Sequence, residues 1–136
     1  MQIIVCVDDK GGMLFNSRRQ SRDRVLIADI LSKFDDKKIR ISNFSALLFE
    51  GFEDRCVIDD ELLQNALNED VCFVENVDVS PYLNSIDHIT IYRWNRCYPG
   101  DFFFNVDLDK QGFFKTSSYE FEGYSHEKIT RETFER

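Results

Sequence analysis

Ile3-Ile4-Val5-Cys6-Val7-Asp8-Asp9-Lys10-Gly11-Gly12 is the stretch on which the fold turns. Five apolar residues in succession, most of them β-branched, suit a strand covered on both faces rather than an amphipathic edge. The run therefore reads as a central strand. Two acidic residues followed by paired glycines then end it, because glycine supplies the positive φ that tight turns use. A loop is expected from there to Ser21. Ser21 is a suitable N-cap, Asp23 lies where the helix dipole favours negative charge, and Ile27, Ile30, Leu31 and Phe34 recur at helical spacing. This places the first helix at about 22–34.

Further along, Lys38–Ser42 reads as a second strand and Ser45–Phe49 as one more helical turn. Asp59 or Asp60 can cap a short helix whose apolar side is Leu62, Leu63, Ala66 and Leu67. Val71–Val74 is another buried strand. Ser80-Pro81 reads as a helix start, since proline is tolerated at the first helical position. A strand begins near His88, and 113–119 with 128–134 form a closing pair of extended segments around Gly123. Strands and helices alternate and a hairpin follows. The order predicts an α/β fold: a mostly parallel sheet with flanking helices and an antiparallel C-terminal hairpin, all in one domain over residues 1–136.

Composition excludes several classes. The chain has 136 residues, 43% of them hydrophobic, with thirteen phenylalanines, which suffices for one real core and disfavours disorder. No apolar run is long enough to cross a bilayer and no basic leader precedes the first strand, so a cytoplasmic protein is expected. Cys6, Cys56, Cys72 and Cys97 form no C-x-x-C pair and read as structural thiols. The net charge is −8, although residues 1–24 carry five basic and only three acidic side chains. So acidic a surface repels phosphate backbones and argues against extended nucleic-acid binding.

The positive excess is concentrated in Asn16-Ser17-Arg18-Arg19-Gln20-Ser21-Arg22-Asp23-Arg24. Four arginines enter a helix start, where free N–H groups already favour an anion, and guanidinium groups grip phosphate or carboxylate in bidentate fashion. Asn16, Arg18, Arg19, Gln20, Ser21, Arg22 and Asp23 are accordingly the candidate ligand-binding residues. The competing reading pairs these arginines with carboxylates of an acidic surface. Asp8-Asp9, Asp35-Asp36 and Asp59-Asp60-Glu61 read as caps and solvated faces rather than metal ligands. No metal site and no cofactor are expected.

The opening Ile3–Asp8 with Gly12-Met13, the stretch from Tyr82-Leu83 to Ile89-Thr90-Ile91, the turn Gly100-Asp101-Phe102-Phe103-Phe104 and the closing Phe134-Glu135-Arg136 together resemble dihydrofolate reductase. The resemblance implies that family's fold, a mobile active-site loop after the first strand, and NADPH-dependent reduction of a pteridine. The positions that carry the chemistry differ, however. The family's acid on the first helix aligns with Leu26 or Ile27, and the loop's Leu-Pro-Trp is replaced by Ser17-Arg18-Arg19-Gln20. Paired glycines give way to Glu75-Asn76, the acid's threonine partner to Tyr92, and the stretch between Ser42 and Val71 is shorter by about a strand. The start of the chain is also similar to small bacterial proteins sometimes labelled ribonuclease Z. That two-metal hydrolase needs several histidines, and only His88 and His126 are present, without a His-x-His-x-Asp-His run.

The sequence thus points to a dihydrofolate-reductase-like domain that is non-catalytic and binds an anionic small molecule or a protein partner through 11–24. Two alternatives stand beside it: an NADPH-dependent pteridine or dihydrofolate reductase, and a structural protein-interaction domain without ligand. A homodimer is compatible with either.

Overall fold

A computed structural model describes all residues 1–136. Its elements are β1 (Gln2–Val7), β2 (Gly12–Phe15), β3 (Arg18–Arg19), α1 (Arg24–Lys33), β4 (Ile39–Ile41), a 3₁₀ helix (Asn43–Phe49), β5 (Cys56–Ile58), α2 (Leu62–Asn65), β6 (Val71–Phe73), a further 3₁₀ helix (Ser80–Ser85), β7 (His88–Arg93), β8 (Phe102–Phe103), β9 (Phe114–Phe121) and β10 (Ile129–Glu135). The main sheet runs β5-β4-β6-β1-β7-β10-β9. Its first five strands are parallel, and β10 and β9 close it antiparallel. No helix is long and apolar enough to cross a membrane.

Strand β1 is central, as its composition predicts. Ile3, Val5 and Val7 enter one core with Cys72, Ile89 and Ile91, while Ile4 enters the other with Leu26, Ile30, Phe73 and Tyr92. Ile3, Ile4 and Val5 are fully buried, and burial of such side chains contributes about 1.5–3 kcal/mol each. Helix α1 lays Leu26, Ile27, Ile30 and Leu31 on the second face.

Four sequence expectations need correction. The segment 11–21 is a hairpin, not a loop: β2 pairs with β3 and also with the far more distant β8, Gly12 opposite Phe103 and Leu14 opposite Phe102. With β3 on one side and β8 on the other, β2 forms a small three-stranded sheet of its own. Ser21 does not cap α1; Asp23 does, accepting the Val25 N–H at 2.9 Å. Asp60 caps the 3₁₀ helix from Asn43 by accepting its N–H, whereas Asp59 accepts the Glu61 N–H ahead of α2. Ser80 is likewise inside its 3₁₀ helix, and Asp78 accepts its N–H.

Polar pairs tie α1 to strands β7 and β10. Tyr92 donates its hydroxyl to Asp29 at 2.5 Å, and Arg131 donates to both oxygens of the same carboxylate at 2.7 and 2.8 Å. Burial and the neighbouring Asp29 charge push the Tyr92 pKa far above its ordinary value. Asp29 is thereby occupied by protein partners. Four thiols remain free; Cys72 is buried, while Cys97 is exposed, contrary to the expectation that all serve the core.

Candidate functional site

The carboxyl ends of β1, β6 and β7 meet the start of α1 in a cleft, the place where open α/β sheets receive ligands. Cys6, Phe73, Glu75 and Trp94 come from the strand ends, Leu26 and Ile27 from α1, Leu48 from the 3₁₀ helix, and Met13, Arg19, Gln20, Ser21 and Arg22 from the hairpin segment. The enclosed part is mostly apolar and narrow, with about 20 Å³ of free space, room for little more than a water molecule. It opens onto a wider groove through Arg22, Asp23, Ile27 and Leu48, which line both. Arg24, Leu47, Tyr124 and Ser125 complete that outer groove.

The four arginines separate into different roles. Arg19 donates to both oxygens of Glu75 at 3.0 Å and to the Phe44 carbonyl at 2.7 Å, and it lies over the Phe44 ring. Ser45 donates to the same Glu75 at 2.8 Å. Glu75 is buried, so this bidentate pair clamps the hairpin over the end of β6. Arg24 stacks on Tyr124, its guanidinium 3.7 Å from the ring centroid. Arg18 is exposed at the hairpin turn, beside Asn16, whose N–H is bound by Asp101. Arg22 reaches the cleft mouth, and no carboxylate of the chain lies within ion-pair distance of Arg18, Arg22 or Arg24.

Gln20 points inward, donating to the Pro99 carbonyl at 3.1 Å, with Asp8 at 3.4 Å. Asp8 is fully engaged: it accepts N–H groups of Lys10, Gly12 and Tyr98. These bonds outweigh its burial and lower its pKa. A Cβ at Gly12 would stand 2.5 Å from the Gln20 amide nitrogen and 3.0 Å from Asp8. That crowding is why glycine is needed there. Burial, reinforced by Glu75, pushes the Cys6 thiol well above the usual range, which withholds its thiolate from chemistry.

Behind the cleft mouth lies a feature that the sequence does not reveal. His126 is buried, stacks on Trp94 with ring centroids 4.6 Å apart, and bonds through Nδ1 to Asp23 at 2.8 Å and through Nε2 to Ser21 Oγ at 2.9 Å. Asp23 also accepts the Tyr124 and Ser125 N–H groups at 2.9 Å. Burial pushes its pKa up, but these bonds, the Tyr124 and His126 ones foremost, outweigh that and lower it to about 2. The partners are 103 positions apart, and no local spacing rule links them. Gly123 allows the approach, because a Cβ there would be 2.6 Å from the Asp23 carboxylate. His88 is remote in the fold and bonds to Glu135 at 2.7 Å. No cluster of three or more histidine, cysteine or acidic side chains is placed to hold a metal ion.

No protein-family model matches the chain, and no curated protein matches it. Among solved structures it is similar to the dihydrofolate reductase from Enterococcus faecalis complexed with NADP(H) and RAB-propyl, with a TM-score of 0.67, 12% identity, and coverage of 99% of this chain and 95% of that one. The sheet order, the parallel core with its antiparallel closing pair, and this likeness over nearly the whole chain agree: the fold is that of dihydrofolate reductase.

Proposed function

We propose that this domain binds a small molecule with an anionic group and an apolar body in the cleft between α1 and the 3₁₀ helix 43–49, and that it does not run hydride transfer. One observation carries the reading. Arg22 and Arg24, neither paired with a carboxylate, border the same open groove, whose floor is Ile27, Leu47 and Leu48. Leu47 is 57% exposed and Tyr124 66% exposed, so an apolar body bound there removes surface from water and gains the usual burial energy.

The reductase alternative receives less support from the same residues. The similar reductase is complexed with NADP(H), and hydride addition to a C=N bond needs a proton donor. Leu26 and Ile27 stand on α1 where the acid would face the cleft, and Asp23, with a pKa near 2, is ionised at neutral pH and cannot donate. Glu75 adds a buried charge, already spent on Arg19, where paired glycines would admit a dinucleotide.

A thermal-shift screen against nucleotides, folates and phosphorylated metabolites tests the reading. A ligand at a hundred times its Kd adds about 2.7 kcal/mol, roughly 10 °C for a domain of this size. The Arg22→Ala, Arg24→Ala double variant should weaken the responding ligand at least tenfold, since charge-assisted contacts are worth about 1.5–3 kcal/mol each. A response unchanged in that variant contradicts the assignment.

A further inference from the structure

Ser21, His126 and Asp23 form a hydrogen-bonded series that ligand binding leaves unused. Asp23 is ionised and accepts N–H groups from Val25, Tyr124 and Ser125, so as an acceptor-only group it requires that His126 Nδ1 carry the proton it receives at 2.8 Å. In the neutral ring that tautomer leaves Nε2 as the acceptor, and Ser21 Oγ lies 2.9 Å from it. The ring cannot turn away, held between Trp94 on its face and Asp23 at its edge. Ser21 is half-buried and lines the narrow inner part of the cleft, while its base His126 is shielded from water. A nucleophile, a base within hydrogen-bond reach and a third group fixing the base's tautomer are what serine acyl transfer requires.

We propose that Ser21 is an acyl-transfer nucleophile, with His126 its general base and Asp23 a positioning residue, acting on an ester that enters the cleft. Ser21 Oγ adds to the ester carbonyl carbon as its proton passes to His126 Nε2. The imidazolium then returns that proton to the departing alcohol oxygen as the carbon–oxygen bond breaks, leaving an acyl group on Ser21. Water repeats the sequence, releasing the acid and restoring the serine. The Tyr98 hydroxyl, 3.4 Å from Ser21 Oγ and 3.2 Å from Nε2, is the neutral donor at hand for the carbonyl oxygen as it becomes negative. The substrate's class rests on the preceding reading, an ester whose acid or alcohol half carries an anionic group for Arg22. The relay itself does not, and a neutral probe separates the two.

The test is reaction with an uncharged alkyl fluorophosphonate, followed by peptide mapping. The expected result is one adduct, on Ser21, absent from Ser21→Ala and formed at least tenfold more slowly in Asp23→Asn, with its pH profile moved although the fold persists by circular dichroism. Because changes at buried His126 risk the fold, Ser21→Cys supplies a second readout. A thiol beside Nε2 should be alkylated by iodoacetamide at pH 6 at least tenfold faster than exposed Cys97. No adduct on Ser21, or a cysteine at 21 reacting no faster than Cys97, overturns the proposal. Failure of the arginine variants to alter ligand binding, with fluorophosphonate labelling intact, would remove only the anionic substrate class.

Discussion

Acid titration of Asp23 should show how firmly the last loop is held to the first helix. Its carboxylate caps α1 and accepts two further N–H groups and the His126 ring from residues 124–126. The pKa falls from 3.8 to about 2 on folding, and at 1.36 kcal/mol per unit this contributes about 2 kcal/mol at neutral pH. The folded-state value is the lower one, so the contribution is complete above about pH 4 and is lost as pH falls toward 2. Asp23→Asn keeps a capping oxygen and cannot ionise. The difference in unfolding free energy between wild type and Asp23→Asn, measured by urea denaturation, should shrink by about 2 kcal/mol between pH 5 and pH 2. Other acids, Asp8 among them, titrate in both proteins and cancel in the difference. A gap that stays constant over this range would refute the claim that the native state holds Asp23 ionised.

Replacing Glu75 by Ala leaves half-buried Arg19 beside Phe44 without its carboxylate partner and should cost about 3 kcal/mol in denaturant titrations. Gly123→Ala, whose Cβ would meet the Asp23 carboxylate, should lower Tm and raise amide exchange at Tyr124 and Ser125. Tyr92→Phe removes one donor from Asp29 and should cost about 1–2 kcal/mol by equilibrium unfolding, less than Arg131→Ala, which removes two charged bonds. Purified protein should not consume NADPH with dihydrofolate; saturable consumption abolished by a change in the cleft would contradict this.

The sheet is readable from residues that obey local rules. Strand β1 shows itself as an unbroken apolar run because it is covered on both faces, and α1 shows its stripe of Leu26, Ile27, Ile30 and Leu31 for the same reason. What escapes reading depends on partners distant along the chain. Segment 11–21 becomes a hairpin because β8 and Glu75 hold it, and neither lies near it in sequence. Ser21 and Asp23 are both good caps by residue type. The choice falls to Asp23 because Tyr124, Ser125 and His126 also need an acceptor at that point. The arginine cluster is visible from composition, yet whether each guanidinium faces a carboxylate, a ring or an open groove is set by tertiary contacts. Arg19, Arg24 and Arg22 show all three outcomes.

The most direct test of the anion-binding account is a two-dimensional NMR titration with phenyl phosphate, following backbone amides and arginine Nε–H signals. The account predicts saturable shifts confined to Arg22, Arg24, Ile27, Leu47, Leu48, Tyr124 and Ser125, with Arg19, held by Glu75, moving little. Shifts that centre on Arg18, spread evenly over the surface or fail to saturate would contradict it.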